Sequence, residues 1–448
     1  MRLFGTDGIR GIVSKTLTCE LMYKLSHAIK KILLEKHDKP KILMGNDTRN
    51  SSKMLVYALA SALASLGCDC DLVGVCTTPL ISHFTMIKCY NIGIMISASH
   101  NLFEYNGVKI FNENGEKLSL SQEENIEKYI FSNNREDLAI VSSLGEINDK
   151  LEYIEEYIDY LLSKSTTIKR YKIGLDLANG STVTSAKKIF KKLSKELIII
   201  NDKPNGKNIN QSCGATSLSG LQELVLKEKL DIAFAFDGDG DRLIAIDSKG
   251  NVIDGDYIIG VIALYLKKIG LLKYKKIAVT AQSNKGLIDY LHKEEIDVVY
   301  TDVGDKYVYE ALKENDLSLG GEQSGHIIIK NILNSGCGEL SAIIILNALE
   351  FLEIAIDQIL NLFSKYPQKT VNIKASEEEK NKLKKSEYIQ EKLKRYGEVF
   401  SKTGRILVRA SGTENLIRVM VEDVDEENAQ KTVNEIKNFI EKELRNRK

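Results

Sequence analysis

Apolar positions along the chain alternate between two spacings. Short runs of branched aliphatic residues read as buried strands, and longer stretches with apolar residues every third or fourth position read as helices. Residues 20–35 form the first helical pattern, with Leu21, Leu25, Ile29, Ile32 and Leu33 on one face. A strand at 41–44, a helix at 51–66 stopped by Gly67, a strand at 71–75 and the buried strand 92–96 follow. Asn106-Gly107, ahead of alternating residues, reads as a hairpin or a turn into a strand. After a charged helix at 150–163 the pattern restarts with a strand at 171–176, a helix at 182–193, a strand at 197–200 and a buried strand at 231–236. It restarts again near Ile253, with a helix at 256–271, a strand at 276–280, a helix after Asn284, a strand at 297–301 and a helix after Lys306. The Lys- and Glu-rich stretch 376–394 reads as one surface helix. Strands at 405–408 and 416–421 then precede an amphipathic helix carrying Val433, Ile436, Phe439, Ile440 and Leu444.

This pattern predicts an α/β protein: three related α/β domains with mixed sheets and a smaller C-terminal α+β domain. The expected boundaries are 1–150, 151–252, 253–368 and 369–448, within what a chain of 448 residues allows. No literal sequence repeat accompanies the three rounds. A hydrophobic content of 43% and a charged content of 28% are those of a soluble globular protein. Zero formal net charge gives no support to a nucleic-acid or membrane-surface role. No stretch approaches about 18 uninterrupted apolar residues, and the N-terminus turns polar too early for a signal peptide. The expectation is a cytoplasmic protein with neither membrane nor nucleic-acid partner. The seven cysteines are scattered, and Cys68 and Cys70 have one residue between them, so reduced structural thiols are expected.

Candidate chemistry sits where apolar strands end. Ser97-Ala98-Ser99-His100-Asn101 follows the run 92–96. An exposed serine hydroxyl beside an imidazole there is a candidate nucleophile, although a turn or a helix N-cap has the same composition. Asp237-Gly238-Asp239-Gly240-Asp241-Arg242 follows the run 231–236. Three carboxylates in five residues repel one another unless a cation is shared, and an all-oxygen set favours Mg²⁺ or Ca²⁺. An EF-hand is excluded, since its sixth and twelfth positions would be Arg242 and Ser248. In Gly320-Gly321-Glu322-Gln323-Ser324-Gly325-His326, Glu322 and Ser324 would face one side of an extended segment and suit a polyol. His326 reads as a structural histidine as readily as a site residue. Arg409-Ala410-Ser411-Gly412-Thr413-Glu414 has the composition of an anion cradle, with Arg418 beyond it, and equally that of a hairpin loop with surface arginines. Lys109, near the start of its strand, reads by composition as a solvated lysine. A metal site, a phosphate cradle, a polyol reader and a serine in four segments suit a cleft between domains.

Together with Thr6-Asp7-Gly8-Ile9-Arg10-Gly11, these motifs resemble the α-D-phosphohexomutase family over nearly the whole chain, from Phe4 to about Glu422. The resemblance implies four domains around a central cleft and a phosphoryl group carried on Ser99, required for activity. It implies one Mg²⁺ per chain, held by phosphorylated Ser99 with Asp237, Asp239 and Asp241. Arg10, His100, Lys109 and Arg242 would line the transfer site, with Lys109 moving the proton. Glu322 and Ser324 would read the sugar hydroxyls, and Arg409, Ser411, Gly412, Thr413 and Arg418 would grip the phosphate that is not transferred. The partner is then a small sugar phosphate, and monomer and homodimer both stay open. Gln323, where relatives acting on mannose or glucose phosphates often carry Met, points to the branch that interconverts glucosamine 6-phosphate and glucosamine 1-phosphate through a 1,6-bisphosphate, supplying UDP-N-acetylglucosamine synthesis. The alternative within the family is a phosphomannomutase/phosphoglucomutase. Outside it stand a phosphatase with an Asp nucleophile and a non-catalytic sugar-phosphate sensor. Three positions depart from the family pattern: Leu102 and Asn415 replace usual prolines, and Cys337, in Asn334-Ser335-Gly336-Cys337-Gly338, replaces a usual aspartate.

Overall fold

The apolar run Ile92–Ile96 is buried along its whole length in the computed structural model, which describes residues 3–5, 7–132, 134–166, 169–400, 403–410 and 415–445. It lies parallel to Lys41–Asn46 and antiparallel to the returning strand Tyr105–Phe111. Asp69–Val75 and Ile147–Asp149 extend the parallel side; Gly8–Ile12 and Phe4–Gly5 extend the antiparallel side, giving a seven-stranded sheet. Helices Cys19–Leu33 and Asn50–Ser65 add Leu25, Ile29, Leu55 and Leu59 to its core. Branched aliphatic runs suit such strands because helical cover leaves no wet face.

The same plan recurs twice. Lys172–Asp176 lies between Glu196–Ile200 and Ile232–Phe236 in parallel, and Leu243–Asp247 returns antiparallel, followed by Val252–Ile253. Lys276–Thr280 pairs in parallel with Leu319–Gly321, and Ile327–Ile329 returns antiparallel, with Asp297–Thr301 on the opposite edge. In each sheet the last parallel strand runs into a polar loop before the chain turns back. These loops are the serine, aspartate and Glu322 segments, at the carboxyl ends of parallel strands where open α/β sheets bind ligands.

The fourth sheet is antiparallel throughout: Gln368–Lys374, Leu416–Asp423 and Gly404–Ala410. Helix Glu426–Arg445 contributes Val433, Ile436 and Ile440 to a core shared with Ile417, Val419 and Val421. The protein is thus α/β, with three mixed-sheet α/β domains and a smaller C-terminal α+β domain. By packing, residues 1–280 with 299–360 form one compact unit, and 281–298 with 361–448 form another. Among the described residues no helix is long and apolar enough to cross a membrane. All seven cysteines are free thiols.

Three local expectations are corrected. Asn106-Gly107 is no turn; it lies inside strand Tyr105–Phe111. Asn106 is buried and its amide donates to the Ser51 and Ser52 hydroxyls at 2.9 Å. A Cβ at Gly107 would lie 2.5 Å from Ser97 O and 2.7 Å from Ile9 O, so glycine here permits close strand approach. The stretch 376–394 is two helices, Glu377–Lys385 and Glu387–Phe400, because Ser386 leaves helical geometry (ψ 106°) and its hydroxyl accepts from Ile389 N–H at 3.4 Å. The helix expected over 182–193 begins as a 3₁₀ turn, Ser181–Thr184, and becomes α-helical only at Ala186–Leu193.

Candidate active site

The serine loop is built by the geometry of one residue. Ser99 adopts φ +50°, a left-handed conformation that a non-glycine residue holds only when its surroundings impose it. Its N–H donates to Ser97 Oγ at 3.0 Å, and its own hydroxyl donates to Asp237 Oδ2 at 2.6 Å. His100 Nδ1 lies 3.3 Å from the same hydroxyl. The expectation of an exposed serine is corrected: Ser99 is only 1% exposed, because the aspartate loop packs over it. Burial, with Arg242 and Arg10 nearby, pushes the His100 imidazole down to about 4, so it is neutral near pH 7.

Asp237, Asp239 and Asp241 are all buried, and each offers a carboxylate oxygen within 4.8 Å of the other two. Lys109 is buried as well, which corrects the solvated position read from composition. Its ammonium lies 2.8 Å from Asp239, 2.9 Å from Asp241 and 2.9 Å from Asp7. Burial alone would favour neutral lysine, but the three carboxylates win and hold the group well above the usual lysine range. Asp237 lacks that partner. Burial and the Asp241 and Asp239 charges push it well above the ordinary carboxylate range. Burial opposes ionisation of Asp241 too, yet Lys109, His326 and Arg242 bring it to about 2. Asp239 Oδ1 and Asp241 Oδ1 are buried with no hydrogen-bond partner. Unsatisfied carboxylate oxygens within an oxygen-only set fit a hard divalent cation.

Charge continues outward from Lys109. Asp7 Oδ2 accepts from Arg10 Nη2 at 2.6 Å, and Asp7 Oδ1 accepts from Lys117, which also bridges to Asp305. Despite its burial, Asp7 is held well below the usual carboxylate range by Lys109, Lys117 and Arg10. Arg10 Nη1 reaches Asn101 Oδ1 at 3.5 Å, and Arg242 Nε lies 3.9 Å from Asp241. Arg242 and His326 form an isolated antiparallel bridge that joins the aspartate loop to the Glu322 loop. Glu322 and Ser324 sit in a tight turn, not the extended segment expected, with Gly325 N–H donating to Glu322 O at 3.0 Å. They still share a side: Ser324 Oγ donates to Glu322 Oε2 at 3.3 Å, and Gly304 N–H donates to Oε1 at 3.1 Å. The Gln323 amide lies instead 3.5 Å from Asp254.

In the C-terminal unit Arg409 and Arg418 are direct cross-strand partners. With Gln282, Thr370 and Asn372 they line a cavity of about 310 Å³. Like charges directly opposed on a sheet repel, and a shared anion relieves that repulsion. Ser411, Gly412 and Thr413 lie outside the described residues.

Residues 1–137, 152–250 and 254–366 match alpha/beta/alpha domains I, II and III, and 371–439 the C-terminal domain, of phosphoglucomutase/phosphomannomutase. The chain belongs to the phosphoglucomutase/phosphomannomutase family. Its sequence is 42% identical over 447 residues to a phosphoglucosamine mutase of Caldicellulosiruptor saccharolyticus, covering 99% of both chains. Its fold is similar to that of a phosphoglucomutase/phosphomannomutase family protein of Burkholderia thailandensis, with TM-score 0.84, 20% identity and coverage of 99% and 98%. It is also similar to an Aspergillus fumigatus N-acetylphosphoglucosamine mutase solved with GlcNAc-6P and magnesium, with TM-score 0.67, 18% identity and coverage of 99% and 96%. The family is one of sugar-phosphate mutases, which are isomerases.

Against the family pattern, Cys337 keeps the helix cap that its usual aspartate would make. It is the N-cap of Gly338–Phe351, and its sulfur accepts from Leu340 N–H at 3.3 Å. Two residues on, Glu339 is fully buried, with Oε1 accepting from Ser185 Oγ at 2.6 Å and Oε2 without a partner. Burial pushes it up to about 7. Its folded value exceeds the unfolded one, so the folded state binds the extra proton and stability falls as pH rises between about 4.5 and 7. Glu339→Gln is expected to remove that slope. Urea unfolding should show the variant gaining on the parent between pH 5 and pH 7.5, by an amount on the order of 2 kcal/mol. Equal losses for both proteins over that interval would refute this assignment.

Asp7, Lys117 and Asp305 are not among the expected site residues, and His326, open between a structural and a site role in the sequence, lies 3.4 Å from Asp305 and 4.0 Å from Asp241. Asp7 was legible within its glycine-flanked motif. Lys117 and Asp305 carry no local signal, since their pairing spans 188 positions.

Proposed function

We propose that the chain is a phosphoglucosamine mutase. It interconverts glucosamine 6-phosphate and glucosamine 1-phosphate through a phosphoserine enzyme and a 1,6-bisphosphate, and supplies UDP-N-acetylglucosamine synthesis in the cytoplasm. The observation that carries the reading is the Ser99 hydroxyl, 2.6 Å from Asp237 in the three-aspartate cluster and presented by an imposed left-handed backbone. The full-length similarity to a phosphoglucosamine mutase supports the choice of sugar. Phosphorylated Ser99 with Asp237, Asp239 and Asp241 would hold one Mg²⁺, as the unpartnered oxygens of Asp239 and Asp241 suit. When bound, the ion supplies Lewis-acid withdrawal of charge from the transferring group.

In this reading Ser99 gives its phosphoryl group to the 6-phosphosugar, and the bisphosphate turns and returns its other phosphate. Lys109 moves the proton between serine and sugar oxygens, and Arg10, His100 and Arg242 line the transfer site. Glu322 and Ser324 take the sugar hydroxyls, Glu322 being pre-oriented by Gly304 N–H. Arg409 and Arg418, with Ser411, Gly412 and Thr413, take the phosphate that stays. Catalysis of this kind is mainly positioning and electrostatic stabilisation. The domains divide at 150, 252 and 368, and the working form is a monomer or homodimer. The test is steady-state turnover of glucosamine, glucose and mannose 6-phosphates. The expected result is the highest kcat/KM for the amino sugar. Equal or better turnover of glucose or mannose phosphate would replace this reading with a phosphomannomutase/phosphoglucomutase.

A further inference from the structure

We propose that Arg49 and Asn210 are positioning residues that clamp the serine loop and hold Ser99 in its reactive geometry. This rests on the reading of Ser99 as the phosphoryl carrier. The Asn210 amide Nδ2 donates to Ser99 O at 2.8 Å and to Asn101 O at 2.9 Å. Arg49 Nη2 donates to the same two carbonyls, at 3.2 Å to Ser99 O and closely to Asn101 O. Each carbonyl therefore receives two donors, which uses both of its lone pairs. The Ser99–His100 and Asn101–Leu102 peptide planes are thus fixed relative to each other.

The two clamps come from different sheets. Arg49 follows the strand Lys41–Asn46 and is 2% exposed; its Nη1 is ion-paired to fully buried Asp47. Asp47 is itself oriented by Ser52 Oγ at 2.7 Å and by the Arg49 N–H at 2.9 Å. Asn210 is 5% exposed, and its backbone N–H donates to Ala178 O at 2.9 Å, beyond the strand Lys172–Asp176. Gly238, between two of the aspartates, completes the enclosure. A Cβ there would lie 2.5 Å from Ser99 O and 2.8 Å from Asn210 Nδ2. The contact that sets Ser99 against Asp237 thus runs through backbone held from both sides. A left-handed serine persists only where its surroundings over-determine it, and these donors are what does so. Because they grip carbonyls and not the hydroxyl, the grip is independent of what Oγ carries. None of these side chains touches the hydroxyl, so their effect is on geometry.

Asn210→Ala leaves each carbonyl with the arginine donor, so the fold survives while the loop loosens. The expected result is a kcat at least tenfold lower, with KM for the sugar phosphate within twofold. The phosphoserine ³¹P resonance of the phosphorylated protein should shift or broaden. Asn210→Asp, which sets a carboxylate against two carbonyls, is expected to fall below the alanine variant. Arg49→Lys keeps a charge beside Asp47 but loses the planar fork, and a comparable loss of kcat is expected. Asn347→Ala serves as the structural control: that buried amide joins Thr166 N–H and Lys164 O. It should lower the thermal midpoint without moving kcat or the resonance. Asn210→Ala retaining kcat within twofold, or losing it only in proportion to a lowered midpoint as the control does, overturns the clamp. A wild-type protein that takes no phosphate on Ser99 is a separate result, which removes the mutase reading and the clamp's role with it.

Discussion

Ser99→Ala is expected to lower mutase turnover by on the order of a thousandfold or more, the loss that follows removal of a group that carries the transferred atoms. Geometry argues against rescue by a neighbour. Ser97 Oγ is engaged with Ser99 N–H, and Thr78 Oγ1 is committed to Asp239. The fold should tolerate the change. Alanine keeps the Cβ, and the loss is the buried hydrogen bond to Asp237 with the 3.3 Å contact to His100, about 1–3 kcal/mol. A coupled assay reads the turnover, and intact-mass measurement with peptide mapping reads the phosphate. The wild-type protein should show a phosphate on Ser99 and the variant none. Net phosphate release that survives in Ser99→Ala would instead favour a phosphatase with an aspartate nucleophile.

The site was legible in the sequence wherever function sits at the end of an apolar run. Strand and loop are local features, so Ser97-Ala98-Ser99-His100-Asn101 and Asp237-Gly238-Asp239-Gly240-Asp241 announce themselves without tertiary information. The structure then brings Ser99 and Asp237 within hydrogen-bond reach across 138 positions. What stayed hidden is what depends on two sheets meeting. Lys109 has the local appearance of an alternating strand lysine, and only the arrival of Asp239 and Asp241 from another sheet makes it the centre of a charge cluster. Asn106-Gly107 carries a turn signal, but close approach of Ser97 O and Ile9 O is the stronger constraint on that glycine. Ser386 divides one helical stretch because its side chain competes for a backbone N–H, an effect that periodicity does not register. Arg49 and Asn210 act on carbonyls, which have no sequence signature.

Lys109→Met is expected to remove activity by on the order of a hundredfold or more, the scale of a lost proton-transfer group, and to destabilise the protein as well. Its ammonium is the counter-charge to Asp7, Asp239 and Asp241 at 2.8–2.9 Å. Removing one partner from a buried ionic cluster strands the others, a loss of about 3–5 kcal/mol. The pH dependence identifies the cause. Asp7 and Asp241 have folded values below their unfolded ones, chiefly because Lys109 overcomes the effect of burial, so they contribute stability above about pH 4 that is lost as pH falls further. In the variant that support is gone and the carboxylates take up protons more readily. Its deficit in urea unfolding should therefore shrink between pH 7 and pH 5. Added Mg²⁺ should raise the variant's unfolding midpoint more than the parent's, since a ligand of the folded state stabilises by mass action and the freed carboxylates bind it more tightly. A deficit equal at both pH values and indifferent to Mg²⁺ would mean that Lys109 acts through packing of its alkyl chain, and turnover close to that of the parent would take it out of the proton path.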